Sequence, residues 1–342
     1  SYPLRKMIRS RDHMMMLKKQ NVSRLLDELR RECEVFYPTR DEEGIVSFSN
    51  VGNVVLDYSN STLPPKDLFL PQTETTFEFE KGAEFRLQPR VHILKRIVFG
   101  IRPCDVNSLI LLDKVFSGDF LDPYYLQRRR NTSLIAINCT EPEKNCFCSF
   151  LETGPSLKEG ADIVLTDLGD FYYVEALTEK GKKLVDSELS FFEEVNVEKE
   201  IARKRKVEIT KTIDLKGIAE RLEKSIESPY WGKVSKKCLN CAICTYLCPT
   251  CYCFDAVDES LDFKGQRIRC WDSCMFPSYS RMAGGINPRA TKKDRLMQRV
   301  YHKFKYFDDR YGNFACVGCG RCVAACPVNI DITKIVSEVR GE

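Results

Sequence analysis

The chain has 342 residues, 43% of them hydrophobic, enough to bury at least one full core and, at ordinary domain sizes, to form two to three domains. Its 53 basic and 49 acidic residues leave a net charge of +4, without the basic excess that binding to a phosphate backbone needs. Seventeen cysteines far exceed ordinary usage, so the spacing of those cysteines decides between a disulfide scaffold and a metal protein.

The N-terminal SYPLRKMIRSRDHMMMLKK is basic, and no apolar stretch long enough for a signal peptide or a membrane span follows it, so the expectation is a soluble cytoplasmic chain. Met14, Leu17, Val22, Leu25, Leu26 and Leu29 recur at helical spacing, with Asn21 or Ser23 available as a cap, and predict an opening helix or two. From about residue 44 to 177 the pattern shifts to short β-branched and aromatic runs: GIVSFSNVGNVVLDY, RIVFGI, SLIAIN, ADIVLTDL and FYYVEAL. Asp105–Phe116 between two of them has helical periodicity, which makes a strand–helix–strand unit and an α/β domain over residues 1–190. Residues 193–228 are charged and periodic and predict exposed helices in a linker spanning 191–230. From Trp231 onward strand-like runs are few, cysteines are many, and Gly284-Gly285 with Pro288 marks a break.

Two cysteine runs carry the chemistry. Cys238-x-x-Cys241-x-x-Cys244-x-x-x-Cys248-Pro249 and Cys316-x-x-Cys319-x-x-Cys322-x-x-x-Cys326-Pro327 both have the spacing that ligates [4Fe–4S] clusters in bacterial two-cluster ferredoxins. Three closely spaced thiolates reach three iron corners from one loop, and the fourth points toward the neighbouring cluster. Ligands therefore cross over: Cys238, Cys241, Cys244 and Cys326 for one cluster, Cys316, Cys319, Cys322 and Cys248 for the other. The competing reading is structural zinc, which CxxC pairs also bind, but two complete four-ligand runs count against it. The insert between the runs, including KKDRLMQRVYHKFKY, looks helical. The expected fold class is α+β, an N-terminal α/β domain followed by an all-helical two-cluster ferredoxin domain over 231–342.

Cys104 and Cys139 each follow an apolar strand-like run, so both sulfurs are expected at one edge of a sheet, with Cys146 and Cys148 closing over them. These four could hold a third [4Fe–4S] cluster, a zinc ion, or nothing, as buried thiols. Cys251, Cys253, Cys270 and Cys274 form a fourth site or, as preferred here, pack around the clusters; Cys33 stands alone. No HExxH, GxSxG, GxGxxG or GxxxxGK[ST] motif is present, and His13, His92 and His302 read as structural, so no catalytic residue is assigned and the chain is not expected to be catalytic alone. Lys233, Lys236, Lys237 and Lys292–Arg295 would suit docking of an acidic partner, against the plainer reading of solvated lysines.

The segments PPKDLFLPQTE, FGIRPCDVNSLILLDKVF, DPYYLQRRR, NCTEPEKNCFCSFLETGP, CLNCAICTYLCPTCYCFDAVDE, RCWDSCMF, AGGINPRATKKDRLMQRVYHKFKY and CVGCGRCVAACPVNIDI together resemble the iron–sulfur beta subunit of cytoplasmic sulfhydrogenases and its counterpart, the iron–sulfur subunit of anaerobic sulfite reductase, over about residues 60–335. The resemblance implies an electron conduit between a flavoprotein subunit linked to NAD(P)H and the terminal catalytic subunit of the complex. That terminal subunit would be a sulfhydrogenase-type NiFe hydrogenase or, as the alternative, a sulfite reductase. Further alternatives are a structural adaptor whose clusters do not turn over, and a stand-alone oxidoreductase acting on sulfur compounds at the extra cysteines. Cys104, Cys139, Cys146 and Cys148 fall on recurring cysteines of that family, which implies the third cluster. Cys251, Cys253 and Cys274 match family positions too, whereas Cys270 does not, and a fourth cluster is weakened accordingly.

Overall fold

A computed structural model describes residues 15–340 apart from 83, 92, 93, 196–200, 202, 203 and 205. The larger of two sheets has eight strands: β1 (Met15–Lys18), β2 (Glu34–Arg40), β3 (Val46–Ser49), β6 (Arg96–Ile101), β7 (Thr132–Ile137), β8 (Ile163–Asp167), β9 (Phe171–Ala176) and β10 (Phe192–Glu194), in the order β10-β1-β9-β8-β7-β6-β2-β3. The central β2, β6, β7 and β8 are parallel and the outer strands antiparallel, so the sheet is mixed. Near-continuous apolar runs such as TSLIAI suit central parallel strands because both faces are covered. Helix α1 (Val22–Leu29) packs Leu25, Leu26 and Leu29 against Ile97, Phe99 and Ile135 on one face. Helix α2 (Pro103–Phe116) packs Val106, Leu109 and Leu112 against Val98, Leu134 and Ala136 on the other. With α3 (Pro123–Asn131), α2 forms the crossover from β6 to the parallel β7.

The smaller sheet is antiparallel throughout. It joins β4 (Thr73–Lys81) and β5 (Phe85–Pro89) to β11 (Phe254–Leu261) and β12 (Lys264–Trp271), in the order β11-β12-β4-β5. Gly265 sits opposite Phe79, whose ring fills the space where a side chain would stand; a Cβ there would lie 2.3 Å from the ring. Arg269 anchors this sheet by pairing with the buried Glu74 and with Asp122 at the start of α3.

The expectation of an all-helical C-terminal domain is overturned. The β11–β12 hairpin lies inside the cysteine-rich region, and the helices there are few and mostly short: Tyr230–Ser235, Ile243–Tyr246, Lys292–Tyr301, Phe307–Tyr311, Arg321–Ala324 and Ile332–Glu338. The physical reason is that Phe254–Trp271, turned at Asp262 in the left-handed conformation (φ 52), forms a hairpin whose hydrogen-bonding partner β4 lies far upstream. The helical insert does form, as Lys292–Tyr301 continued by a π-helical turn, His302–Tyr306.

At the N-terminus Leu17 lies on a strand, the helix begins at Val22, and Met14, His13 and His92 lie outside the described residues. Of the helices expected over 193–228, Ile218–Lys224 is present, Phe192–Glu194 is strand, and 206–215 has no regular element. Among the described residues no helix is long and apolar enough to cross a membrane.

Candidate functional site

Parallel strands β6 and β7 deliver Cys104 and Cys139 just beyond their carboxyl ends, the position where open α/β sheets hold ligands. The CFC loop closes over them through Cys146 and Cys148. All four thiols line one cavity. A second cavity is lined by Cys248, Cys316, Cys319 and Cys322. A third is lined by Cys238, Cys241, Cys244 and Cys326. The fourth cysteine of each C-terminal run thus reaches the cavity of the other run. Cys322 also borders the third cavity and Cys319 also borders the first, so the three sites stand in a row with shared walls.

The two runs have the same backbone shape. Asn240 and Ala242 have φ of 53° and 62°, and Gly318 and Gly320, at the equivalent positions, have 62° and 74°. Each left-handed residue turns the loop back on itself so that successive cysteines face one cavity. Backbone N–H groups point at sulfur: Asn240 N–H to Cys238 Sγ at 3.4 Å and Ile330 N–H to Cys326 Sγ at 3.2 Å. The glycines of the second run answer to a contact. A Cβ on Gly318 would lie 2.6 Å from the Cys148 backbone, and one on Gly320 would lie 2.5 Å from the Asn145 carbonyl. Phe147 N–H donates to the Gly318 carbonyl at 2.8 Å, and Arg321 forms a buried bidentate pair with Asp105 of α2 at 2.6 and 2.7 Å.

The electrostatics test whether an anionic group fits. Lys303 Nζ is buried and donates to Cys248 Sγ at 3.2 Å, Thr250 Oγ1 at 3.0 Å and the Ala315 carbonyl at 2.9 Å. Arg299 borders both the second and the third cavity, and its buried Nε has no partner. Lys66 is buried over the Trp271 ring and donates to the carbonyls of Cys248 and Cys251. Among the described residues none of these three cations has an ion-pairing carboxylate. Buried charge persists only where it is compensated, so the cavities suit a group of negative charge. Burial pushes the thiols the other way, raising Cys244 and Cys146 to about 11 and Cys148 and Cys316 to about 12. Buried thiols of this kind ionise on binding metal. Thiolate donors alone, with cations around them, fit iron–sulfur clusters. Among the described residues no set of three or more His, Cys, Asp or Glu side chains is arranged to hold a single metal ion.

The remaining cysteines surround the cavities. The Cys251 thiol donates to Cys248, and that hydrogen bond lowers Cys248 and raises Cys251. The Cys274 thiol likewise donates to Cys253 and lowers it to about 6. Cys270 lies on β12 beside the Asp255 carbonyl, and Cys33 donates to the Leu29 carbonyl. Burial lowers His302 to about 4; its Nε2 meets Tyr252 Oη at 3.1 Å. Reading by motif passed over Lys66, Arg299, Lys303 and the Asp105–Arg321 pair. The i, i+4 spacing of Arg299 and Lys303 on an amphipathic helix was the available signal. A broad surface recess on the smaller sheet, lined by Phe79, Leu87 and Leu261, contains no cysteine.

Residues 237–330 match a family described as a 4Fe-4S dicluster domain. The chain is 36% identical over 298 residues to Sulfhydrogenase 2 subunit beta of Pyrococcus furiosus, covering 85% of this chain and 87% of that protein. No solved structure matches it. With thiol cavities, buried uncompensated cations and a relative aligned over most of both chains, this protein belongs to the sulfhydrogenase beta-subunit family of 4Fe–4S dicluster proteins.

Proposed function

We propose that the chain is the electron relay of a multi-subunit oxidoreductase, carrying electrons one at a time through three [4Fe–4S] clusters between a flavoprotein subunit linked to NAD(P)H and the terminal hydrogenase subunit. The observation that carries this reading is the row of three thiol cavities with shared cysteine walls. In it Cys238, Cys241, Cys244 and Cys326 hold one outer cluster, Cys316, Cys319, Cys322 and Cys248 the middle one, and Cys104, Cys139, Cys146 and Cys148 the other outer one. Clusters of this type accept and donate single electrons without making or breaking a substrate bond. The chain's residues supply the rest. The loops fix the order of the sites, buried cations offset the negative charge, and apolar walls from Trp231, Leu296, Phe304 and Val336 keep water out.

The site nearest solvent is the cavity of the first run. Cys241 is exposed, Leu239 is 61% exposed, and the exposed Lys236 and Lys237 immediately precede Cys238 in the chain. We place electron exchange with an acidic partner surface there. The many thiols and the proposed clusters suit a reducing, cytoplasmic setting.

Iron and acid-labile sulfide content of chain purified without oxygen, with EPR after dithionite reduction, tests the reading. About twelve irons per chain are expected, falling to about eight in a Cys139→Ala variant. About eight in the unaltered chain would restrict the relay to the two C-terminal runs, and full iron content in Cys244→Ala would overturn the ligand assignment.

A further inference from the structure

Arg299 and Lys303 are four residues apart on one helix, with a π-helical turn beginning at His302. Both side chains enter the C-terminal thiol region rather than solvent, at 3% and 2% exposure. A π turn inserts an extra residue and re-aims the side chains that follow, and such turns recur at functional sites. Here the turn lies where the Lys303 ammonium is brought 3.2 Å from Cys248 Sγ. The other two hydrogen bonds of Lys303 go to Thr250 Oγ1 and the Ala315 carbonyl, which hold the ammonium against sulfur. Thr250 Oγ1 in turn donates to the Ala315 carbonyl at 2.8 Å, so the position is fixed from both sides.

We infer that Lys303 is a positioning residue that sets the reduction potential of the middle site, making it the most readily reduced of the three. The inference rests on the ligand assignment proposed above. Adding one electron to a cluster increases its negative charge by one unit, with no proton and no bond change. A fixed cation with a hydrogen bond to a ligand sulfur stabilises the reduced form more than the oxidised form and raises the potential. The effect is asymmetric across the chain. Arg299 borders both cavities of the C-terminal runs, but its described hydrogen bond goes to the Cys244 carbonyl at 3.3 Å and not to sulfur. Of the cations beside the Cys104 site, Arg321 is neutralised by Asp105, and the buried Arg102 gives its hydrogen bonds to the carbonyls of Tyr58, Ile137 and Asn138 and not to sulfur. Lys303 alone among these cations combines a sulfur hydrogen bond with freedom from a carboxylate. Electrons entering from either end therefore collect at the middle site and leave it against a small gradient.

The test is a redox titration of the full chain followed by EPR, comparing the unaltered protein with Lys303→Met, Lys303→Gln and Lys303→Arg. One midpoint should fall in Lys303→Met by the equivalent of at least a tenfold change in the reduction equilibrium, about 59 mV for one electron. The other two midpoints should move much less, and Lys303→Arg should restore most of the change. Unchanged midpoints in Lys303→Met with full iron would overturn the inference while leaving the relay intact. Loss of iron from both Lys303→Met and Lys303→Gln would also overturn it, because Lys303 would then be holding the site together. An unaltered chain whose iron content leaves no middle cluster would instead remove the ligand assignment itself.

Discussion

Gly318 and Gly320 show how one residue joins two sites. Both adopt left-handed backbone, and both touch the loop that carries Cys146 and Cys148 at distances no Cβ tolerates. Gly318→Ala combines a left-handed penalty of about 1–2 kcal/mol with the cost of overpacking against backbone, about 1–3 kcal/mol. On the ligand assignment proposed above, the expected result is a lower melting temperature and loss of iron from the Cys104 site, while the first run keeps its EPR signal. His302 supplies a pH dependence. Its folded pKa, about 4, lies below the unfolded value near 6.5, so the unfolded chain binds the proton first. Stability is therefore full above about pH 6.5 and declines toward pH 4 by up to about 1.4 kcal/mol per unit. Denaturant midpoints at neutral and acid pH should show a shallower slope in His302→Gln. At this scale the cysteine runs were readable because iron–sulfur loops impose fixed spacings. The reason for the glycines was not, since it depends on a loop about 170 residues earlier in the chain.

Among elements, the hairpin β11–β12 was the least readable. Strand β11 is exposed along its whole length, so no apolar stripe announces a buried face. Its turn at Asp262-Phe263 lacks the Asn-Gly or Asp-Gly signature, and its partner β4 is remote in sequence. By contrast RIVFGI, TSLIAI and the Asp105–Phe116 helix were legible because continuous apolar runs and a 3.6-residue period are local signals. The hairpin is held by Arg269, whose guanidinium is buried between Glu74 and Asp122, with Arg128 as a second partner for Glu74. Arg269→Met should cost about 3–5 kcal/mol because it leaves buried carboxylates partly uncompensated. Urea denaturation of the cluster-loaded chain would show it, and a change below about 1 kcal/mol would mean that Arg128 suffices.

For the molecule as a whole, the spacing of the two runs implies that their fourth cysteines cross over, and Cys248 lines the cavity of the second run while Cys326 lines that of the first. The spacing says nothing of how closely the cysteine-rich region engages the larger sheet. That engagement is made by polar contacts that follow no motif: Arg321 to Asp105 and Ser61, Asn60 to the Cys319 carbonyl, and Thr153 to the Val317 carbonyl.

The smaller sheet has a consequence for biogenesis. Thr75 on β4 and Gln266 on β12 are hydrogen-bonded across 191 residues. During synthesis β4 and β5 emerge long before the strands that complete them, so the nascent chain carries an unpaired strand edge until residue 271 has left the ribosome. Iron delivered before that moment would meet a chain whose second run of cysteines has not been made. The cavities of the two runs are completed only after Cys322 and Cys326 have emerged, later than the strands of this sheet, whereas the four cysteines of the Cys104 cavity all precede them.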